Sequence, residues 1–497
     1  MRPNLISVNR LCGGLGNMRA MVSITQPQAL SGKDSAVSII NEDLLRRFDV
    51  SGPRYTSYPT ADRFVEAFTA ENYAQALVQR ATGSQIGGAA PLSIYVHIPF
   101  CESVCYYCAC NKVITKHHDK AAEYLQALIT EMDLTLVHLG RGAGVSQLHL
   151  GGGSPTFFSD EELTGLVQAL RERFRIVAGA EMAIEVDPRT VNVDRLKHLR
   201  SLGFNRLSFG VQDFDPHVQK AVHRQQSFAS VEALMTAARE LGFESTNVDL
   251  IYGLPLQTPE SFARTIEQVG ALKPDRIALY GYAHLPQRFK PQRRIDEAQL
   301  PPGAAKVAML HGAIEGFMTH GYSYIGMDHF ALANDSLAVA KRQGRLHRNF
   351  QGYSTQPDCD LIALGVSAIG RVGANYSQNV KTLEAYYDTL RQGQLPIERG
   401  LALTRDDIVR RAVIMALMCQ GRLEFESIAL AHLVDVAEYF KPELERMREL
   451  AEQGLVTVDA DAIQVTPLGW FFVRAVAMVF DRYLQADRSR AKFSKII

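Results

Sequence analysis

The sequence predicts an α/β protein built on an incomplete parallel (β/α)6 barrel, with an extended N-terminal segment and a mainly helical, winged-helix-like C-terminal domain. Short β-branched runs alternate with amphipathic helical runs from Leu92 to Ala283. Polar or reactive residues close each of those runs, and a helix-then-ribbon pattern ends the chain.

The expected strands are Leu92–Ile98, Ser146–Leu150, Met182–Val186, Arg206–Val211, Thr246–Tyr252 and Arg276–Tyr282. Helical segments with clear start signals lie between them. Ser159 and Glu162 form a capping-box pattern ahead of Leu163, Leu166, Val167, Leu170 and Phe174 on one face. Thr258-Pro259 supplies an N-cap and a first-turn proline ahead of Phe262, Ile266, Val269 and Leu272. Successive βα units make a parallel sheet, and periodicity alone does not separate a doubly wound sheet from a barrel. The strand ends decide. Cysteines follow the first, Gly151-Gly152-Gly153 the second, Glu185 and Asp187 end the third, and Gln212 ends the fourth. Asp249 lies in the fifth and Ala283-His284 ends the sixth, so one shared mouth, hence a barrel, fits better than a single crevice.

Ser51–Thr60 contains two prolines and reads as extended. Residues 284–395 are mixed. From Ile408 to Met418 the pattern is helical; Glu443–Glu452, two short β runs and a helix from Pro467 then resemble a winged helix, here without a basic stripe. The chain is expected to divide into a disordered extension (1–40), a segment covering the site (41–91), the barrel (92–330), its extension and connecting segment (331–395) and a helical domain (396–497). Residues 1–33 hold Arg2, Arg10, Arg19 and Lys33 without an acid. That composition matches an organelle transit peptide, and equally a disordered tail or an early start codon ahead of Met18 and Met21.

Composition excludes several classes. Over 497 residues, 53 Lys+Arg balance 53 Asp+Glu, against a globally basic nucleic-acid binder. No stretch reaches the roughly 18–20 apolar residues of a membrane span. Four of seven cysteines, Cys101, Cys105, Cys108 and Cys110, fall within ten residues, which is metal chemistry of a reducing cytoplasm and not a disulfide framework.

Cys101-x3-Cys105-x2-Cys108 places three thiolates on one loop. A cubane iron–sulfur cluster held by three thiolates keeps its fourth iron free for a substrate or cofactor. Structural zinc with Cys110 as fourth ligand fits less well, because zinc sites use two ligand pairs a dozen or more residues apart.

This spacing resembles the radical S-adenosylmethionine (SAM) enzymes, and the likeness extends further. Tyr95-Val-His-Ile-Pro-Phe-Cys101, Gly151-Gly-Gly-Ser-Pro155, Glu185-Val-Asp-Pro-Arg189, Gly210-Val-Gln-Asp-Phe214, Asp249-Leu-Ile-Tyr-Gly-Leu-Pro255 and His347-Arg-Asn-Phe-Gln-Gly-Tyr353 resemble the oxygen-independent coproporphyrinogen III oxidases of haem biosynthesis. The resemblance runs from about Asn41 to Ile497. It implies a barrel of radical SAM type and a 4Fe–4S cluster on Cys101, Cys105 and Cys108. It also implies two SAM molecules and conversion of two propionates of coproporphyrinogen III to vinyl groups, giving protoporphyrinogen IX. Tyr95, Gly152, Glu185 and Ile369 match positions around the cluster-bound SAM, with Phe350 and Gln351 beside the cofactors. Tyr107, Gly153, Ser154, Gln212, Arg224, Asp249 and Ala283 match positions around the second. Cys110 stands between assisting the chemistry and being a small buried residue. An external low-potential donor such as flavodoxin or ferredoxin is implied; the chain is expected to be monomeric and cytoplasmic, with no nucleic-acid partner.

Each residue also has a plainer reading. Glu185 could pair with Arg206 or Arg189, Arg224 could be a surface helix arginine, and the fourteen histidines read mostly as surface or capping residues. Arg54, Arg288, Lys290, Arg293 and Arg294 are candidates for the substrate carboxylates. The alternative function is the related haem chaperone, opposed by Cys110 and by Pro53-Arg-Tyr-Thr-Ser-Tyr-Pro59.

Overall fold

The computed structural model describes Leu44, Arg47, Phe48, residues 50–87 and residues 90–486; the extension expected over 1–40, including Cys12, lies outside the described residues. Parallel strands β1 (Leu92–Ile98), β2 (Gly144–Gly152), β3 (Arg175–Val186), β4 (Arg206–Gln212), β5 (Ser245–Tyr252) and β6 (Arg276–Gly281) lie side by side in sequence order. They cover all six expected strands. β2 and β3 run longer than the apolar patterns suggested, and β6 stops one residue short.

The same sheet continues past both ends of this set. Beyond β6 lie the antiparallel strands β7 (Tyr322–Gly326) and β8 (His329–Leu332), with β8 against β6. Beyond β1 lie β9 (Leu361–Leu364), parallel to it, then β10 (Ile369–Val372), β11 (Asn375–Asn379) and β12 (Ile397–Ala402), all antiparallel. β1 and β6 therefore do not meet, and the barrel stays open as expected. Residues 284–395 are mixed because their strands are only three to five residues long, too brief to show a period, and are set among the helices Gly303–Thr319, Ser336–Arg342 and Leu383–Arg391.

The helices between the parallel strands are α1 (Asp119–Leu139), α2 (Asp160–Arg173), α3 (Val193–Ser201), α4 (Pro216–Ala221), α5 (Phe228–Glu240) and α6 (Pro259–Leu272). The Ser159 box is formed, with Ser159 Oγ accepting from Glu162 N (3.1 Å) and Glu162 Oε2 accepting from Ser159 N (2.8 Å). Thr258 caps α6, with Pro259 in the first turn. Apolar residues of the strands point outward to these helices: Leu148, Leu150, Met182, Ile184, Leu207, Phe209, Val248, Leu250, Ile277 and Leu279 are all buried in one core. The alternate residues face inward and are mostly polar.

A second core joins the N-terminal segment to the C-terminal helices. Tyr55 and Tyr58 are buried among Val413, Leu417, Val473, Val476 and Phe480. Tyr55 OH donates to Asp481 (3.0 Å), and Arg474 donates to the carbonyls of Gly52 and Pro53. The C-terminal part has the expected helix-and-ribbon form, a sheet of strands 422–424, 462–465 and 456–458 beside the helices Arg405–Gln420, Phe425–His432 and Lys441–Glu452. Among the described residues no helix is long and apolar enough to cross a membrane.

One buried acid fastens the β9–β11 flank to α1. Glu131, 2% exposed, accepts from Gly365 N (2.7 Å), Asn379 Nδ2 (2.6 Å) and Tyr386 OH (2.5 Å). Burial raises its carboxyl to about 7 in spite of those donors. Glu131→Gln would present an amide N–H to groups that themselves donate. It is expected to lower stability by about 1–3 kcal/mol, read as a drop in the apparent denaturation midpoint.

Candidate active site

The inward faces of all six parallel strands line one cavity of about 960 Å3. Its deep end holds Gln147, Glu181, Arg206 and Arg276; its middle holds Tyr95, His149, Glu185, Ser208, Asn247 and Asp249; its mouth holds the cysteine loop, Gly152, Gly153, Ser154, Gln212 and Arg224. Strand register sets these rows: Tyr95 lies beside His149, Glu185 beside Ser208, Ser208 beside Asn247, and Gly210 beside Asp249.

The cysteine loop begins where β1 ends. Cys101 sits in a short strand with Phe100, paired with Val113–Ile114, so the loop closes on itself at Thr115 N donating to Cys101 O (2.9 Å). The β2 glycines hold this loop against the barrel. Gly153 N donates to Ile98 O and Ser154 N to Phe100 O, both at 2.8 Å. A Cβ at Gly153 would lie 2.7 Å from the Pro99 and Phe100 carbonyls, and one at Gly152 would lie 2.6 Å from the His97 ring. Gly152 also has φ +115°, where a side chain is strained. The glycines thus serve the approach of one strand end to the next as well as leaving room for a ligand.

Cys101, Cys105, Cys108 and Cys110 are free thiols with different surroundings. Burial, then the nearby Cys108, push Cys101 up to about 12. A hydrogen bond from Cys110 brings Cys108 down to about 6, with Lys112 assisting, and Cys110 correspondingly keeps its proton. Cys105 accepts from two guanidinium groups, Arg224 Nη1 (3.5 Å) and Arg189 Nη2 (3.6 Å), and Asp187 pairs with both arginines at 3.2 and 2.6 Å. Among the described residues no three Cys, His, Asp or Glu side chains converge to hold a single ion. The donor set suits a polynuclear group, which offers a separate iron to each thiolate.

Glu185 pairs with neither Arg206 nor Arg189. Its Oε1 meets His149 Nε2 (3.3 Å) and its Oε2 accepts from Gly152 N (3.1 Å). Burial opposes its charge, but His149 and the Gly152 amide hold the carboxyl below its ordinary value. Arg206 pairs instead with Glu181 (2.5 Å), and Arg189 with Asp187. Asp249 accepts from Ser208 Oγ (2.9 Å) and Asn247 Nδ2 (2.8 Å), while burial and the charge of Glu185 raise it to about 6. Arg224 is not a surface arginine; it is 6% exposed and donates to Gly210 O (3.1 Å) from Nε.

Tyr95, Tyr107, Ile369, Phe350 and Gln351 line the cavity with these groups. Ala283 is not in that lining but lies beside it, its carbonyl sharing the Gln292 amide (3.2 Å) with the carbonyl of Tyr107 (2.9 Å). Arg54 touches the cavity wall through Tyr280, at 5.0 Å from the ring centre, and pairs with Asp328. Arg288, Lys290, Arg293 and Arg294 lie outside the lining.

Histidines were underrated: His97, His149 and His329 all line the cavity. His97 Nε2 reaches Asn111 O (3.0 Å), which only accepts, so the neutral ring's Nδ1 accepts from Tyr95 OH (3.1 Å). Burial lowers the His97 value, in keeping with a neutral ring. The available signal was alternation: Gln147 with His149, Glu181 with Glu185, Arg206 with Ser208, and Asn247 with Asp249 are polar residues two or four apart in strands.

Residues 95–269 match the Radical SAM superfamily and residues 403–472 the HemN C-terminal domain. The chain is 48% identical over 457 residues to an oxygen-independent coproporphyrinogen III oxidase of Escherichia coli K12, covering 91% of this chain and 98% of that protein. It is 49% identical to the enzyme of that name from Pseudomonas aeruginosa, over 92% and 98% of the two chains. The solved coproporphyrinogen III oxidase of Escherichia coli, described as a radical SAM enzyme, superposes with a TM-score of 0.83 at 48% identity, covering 87% of this chain and 98% of that one.

The chain belongs to the oxygen-independent coproporphyrinogen III oxidases.

Membership of that family, and of the radical SAM superfamily, brings a 4Fe–4S cluster and SAM as cofactors, and the three thiols at the cavity mouth fit such a group. In this coproporphyrinogen oxidase fold, Cys105→Ser is expected to abolish the brown colour of anaerobically reconstituted protein and its activity. Absorbance and iron analysis check this, and a mutant keeping its iron would overturn the ligand assignment.

Proposed function

We propose that this chain converts two propionate side chains of coproporphyrinogen III to vinyl groups without oxygen, giving protoporphyrinogen IX. The observation that carries the reading is the pair of cavity-lining carboxylates, Glu185 and Asp249, facing a cavity whose mouth is ringed by Cys101, Cys105 and Cys108. When bound, the reduced cluster and SAM supply a carbon radical that takes a hydrogen atom from the propionate β-carbon, after which carbon dioxide and one electron leave.

The protein's part is holding and shielding. Cys101, Cys105 and Cys108 take the cluster. Glu185, anchored by Gly152 N and flanked by Tyr95, His149 and Ile369, offers a charged acceptor to the amino group of the cluster-bound SAM, with Phe350 and Gln351 along the same wall. A second SAM is supported by the volume, near the upper end of the roughly 300–1,000 Å3 of small-molecule sites. Tyr107, Gly153, Ser154, Gln212, Arg224 and Asp249, which line the same cavity, are the residues assigned to it, with Ala283 beside Tyr107. Cys110, as hydrogen-bond partner of Cys108, shapes that thiolate's surroundings. Arg54, at the cavity wall beside Asp328, and the cavity-lining Lys112 are the cations offered to the remaining substrate carboxylates, since Arg206 and Arg276 are already paired with Glu181 and Asp335. A reducing cytoplasm suits the free thiols, an external low-potential donor supplies the electron, and the chain works as a monomer.

Anaerobic turnover with dithionite, SAM and coproporphyrinogen III tests the reaction: carbon dioxide and vinyl groups are expected, whereas stable haem binding without turnover marks the haem chaperone instead. Asp249→Asn is expected to weaken SAM binding about tenfold, roughly 1.4 kcal/mol, with iron content unchanged; loss of iron would make the residue structural. Because Asp249 is raised to about 6, it is neutral below that pH. SAM affinity in equilibrium dialysis is therefore expected to fall as pH drops through about 6, and Asp249→Asn to remove that inflection.

A further inference from the structure

The electron that starts the chemistry arrives from outside, and the surface beside the cysteine loop is distinctive. Arg288, Lys290, Arg293 and Arg294 fall within seven residues of the segment following β6, and all four are exposed. Arg294 lies over the Tyr106 ring (5.3 Å), Arg288 over Phe289 (5.5 Å), and Arg293 donates to Pro286 O (2.9 Å). None of the four has a carboxylate partner among the described residues. The nearby acids are engaged: Glu297 meets His284 (3.1 Å), and Asp296 accepts from Ala298 N (3.0 Å). In a chain of zero net charge, this is a local concentration of four unneutralised cations.

Its position is fixed. Gln292, 1% exposed, donates to Tyr107 O (2.9 Å) and accepts from Leu285 N (2.6 Å), locking the segment to the cysteine loop. Tyr106 and Tyr107 are the two residues between Cys105 and Cys108. On the other side of Tyr106 the ring of His223 stacks at 5.2 Å, its Nδ1 meeting Val104 O (2.8 Å). None of the four cations is in the cavity lining.

We propose that the Arg288–Arg294 strip is the docking surface for the protein that reduces the cluster, a one-electron, low-potential carrier with an acidic face. This rests on the reading of the three cysteines as cluster ligands. A like-signed patch raises the encounter rate with an oppositely charged partner and fixes its orientation without tight binding. Here it would bring the donor's redox centre to the outer side of the cysteine loop while leaving the cavity mouth to SAM and substrate. One carrier must leave before the next arrives, and salt-screened surface charge suits that turnover.

The test is the full-length, anaerobically reconstituted protein carrying Arg288→Gln, Lys290→Gln, Arg293→Gln and Arg294→Gln together, with Arg294→Gln alone as a milder variant. Cluster reduction by reduced flavodoxin is followed by stopped-flow bleaching at several salt concentrations, and turnover is measured in parallel with dithionite. The expected result is at least about a tenfold slower reduction by flavodoxin in the quadruple variant with a flattened salt dependence, a smaller loss in the single variant, and unchanged dithionite-driven turnover and KM for coproporphyrinogen III. Equal flavodoxin rates in wild type and variant overturn the proposal. A raised KM with both reductants also overturns it, assigning the strip to substrate carboxylates. A wild-type protein that carries no cluster overturns the underlying reading, and the docking surface with it.

Discussion

The close approach of the ends of β1 and β2 determines where every reactive group of the mouth stands. Gly153 lets the Pro99–Phe100 backbone pass within a distance that a Cβ would occupy, and Gly152 does the same for the His97 ring. The amides freed by that contact donate to Ile98 O, Phe100 O and Glu185. The cysteine loop, the charged acceptor of the cavity's middle and the His97–Tyr95 pair are thereby tied to one strand junction. A side chain at either glycine would shift all three together, which explains why the triple glycine is rigidly placed and is not a permissive turn.

The barrel inverts the usual sense of burial. Its apolar residues face the helices, where Leu148, Ile184, Phe209, Val248 and Leu279 build the core, while the strands' other face carries Gln147, Glu181, Arg206, Asn247 and Arg276. Buried polar groups are costly unless paired, and the pairing is extensive: Glu181 with Arg206 and Gln147, Arg276 with Asp335, Asp249 with Ser208 and Asn247. Stability thus resides in the outer layer. The inner layer is left to set charge, with Glu181 held to about 2 by Arg206 and Arg276 against burial while Asp249 floats up to about 6. Within β3 alone, Glu181 forms an ion pair at the deep end and Glu185, four residues on, faces the cavity.

Much of this was legible beforehand because its signals are local. Strand alternation, the Ser159 and Thr258 caps and the cysteine spacing each need only a few neighbouring residues, and each appears where expected. What the chain did not show is pairing across strands. Glu185 was weighed against Arg206 and Arg189, the basic residues near it in sequence or strand order. Its partner is His149 on the neighbouring strand, because parallel register and not sequence distance brings side chains together. Arg224 reads as a helix arginine until the turn after α4 carries it under Cys105 and Asp187. Ala283, given a cofactor role by resemblance, is tied with Tyr107 to the Gln292 amide, a contact nine residues away with no periodic trace.

The three thiols of one short loop do not form an equivalent set, and their differences follow from which strand each one meets. Cys101, still within the β1 exit, is governed by burial; Cys105, turned toward the ends of β3 and β4, takes two guanidinium donors steadied by Asp187; Cys108 is governed by Cys110 and Lys112. Hydrogen bonds to a ligating sulfur draw charge from it and tune the group it holds. An asymmetric shell of this kind would give the three ligated irons of a bound cluster different surroundings, with two guanidinium groups at Cys105 and Cys110 and Lys112 at Cys108. In the loop between those two cysteines Tyr107 lines the cavity while Tyr106 lies under Arg294, outside that lining. The same short loop therefore has one tyrosine in the cavity lining and the next outside it, so substitutions at the two positions separate effects on bound ligands from effects on the protein's exterior.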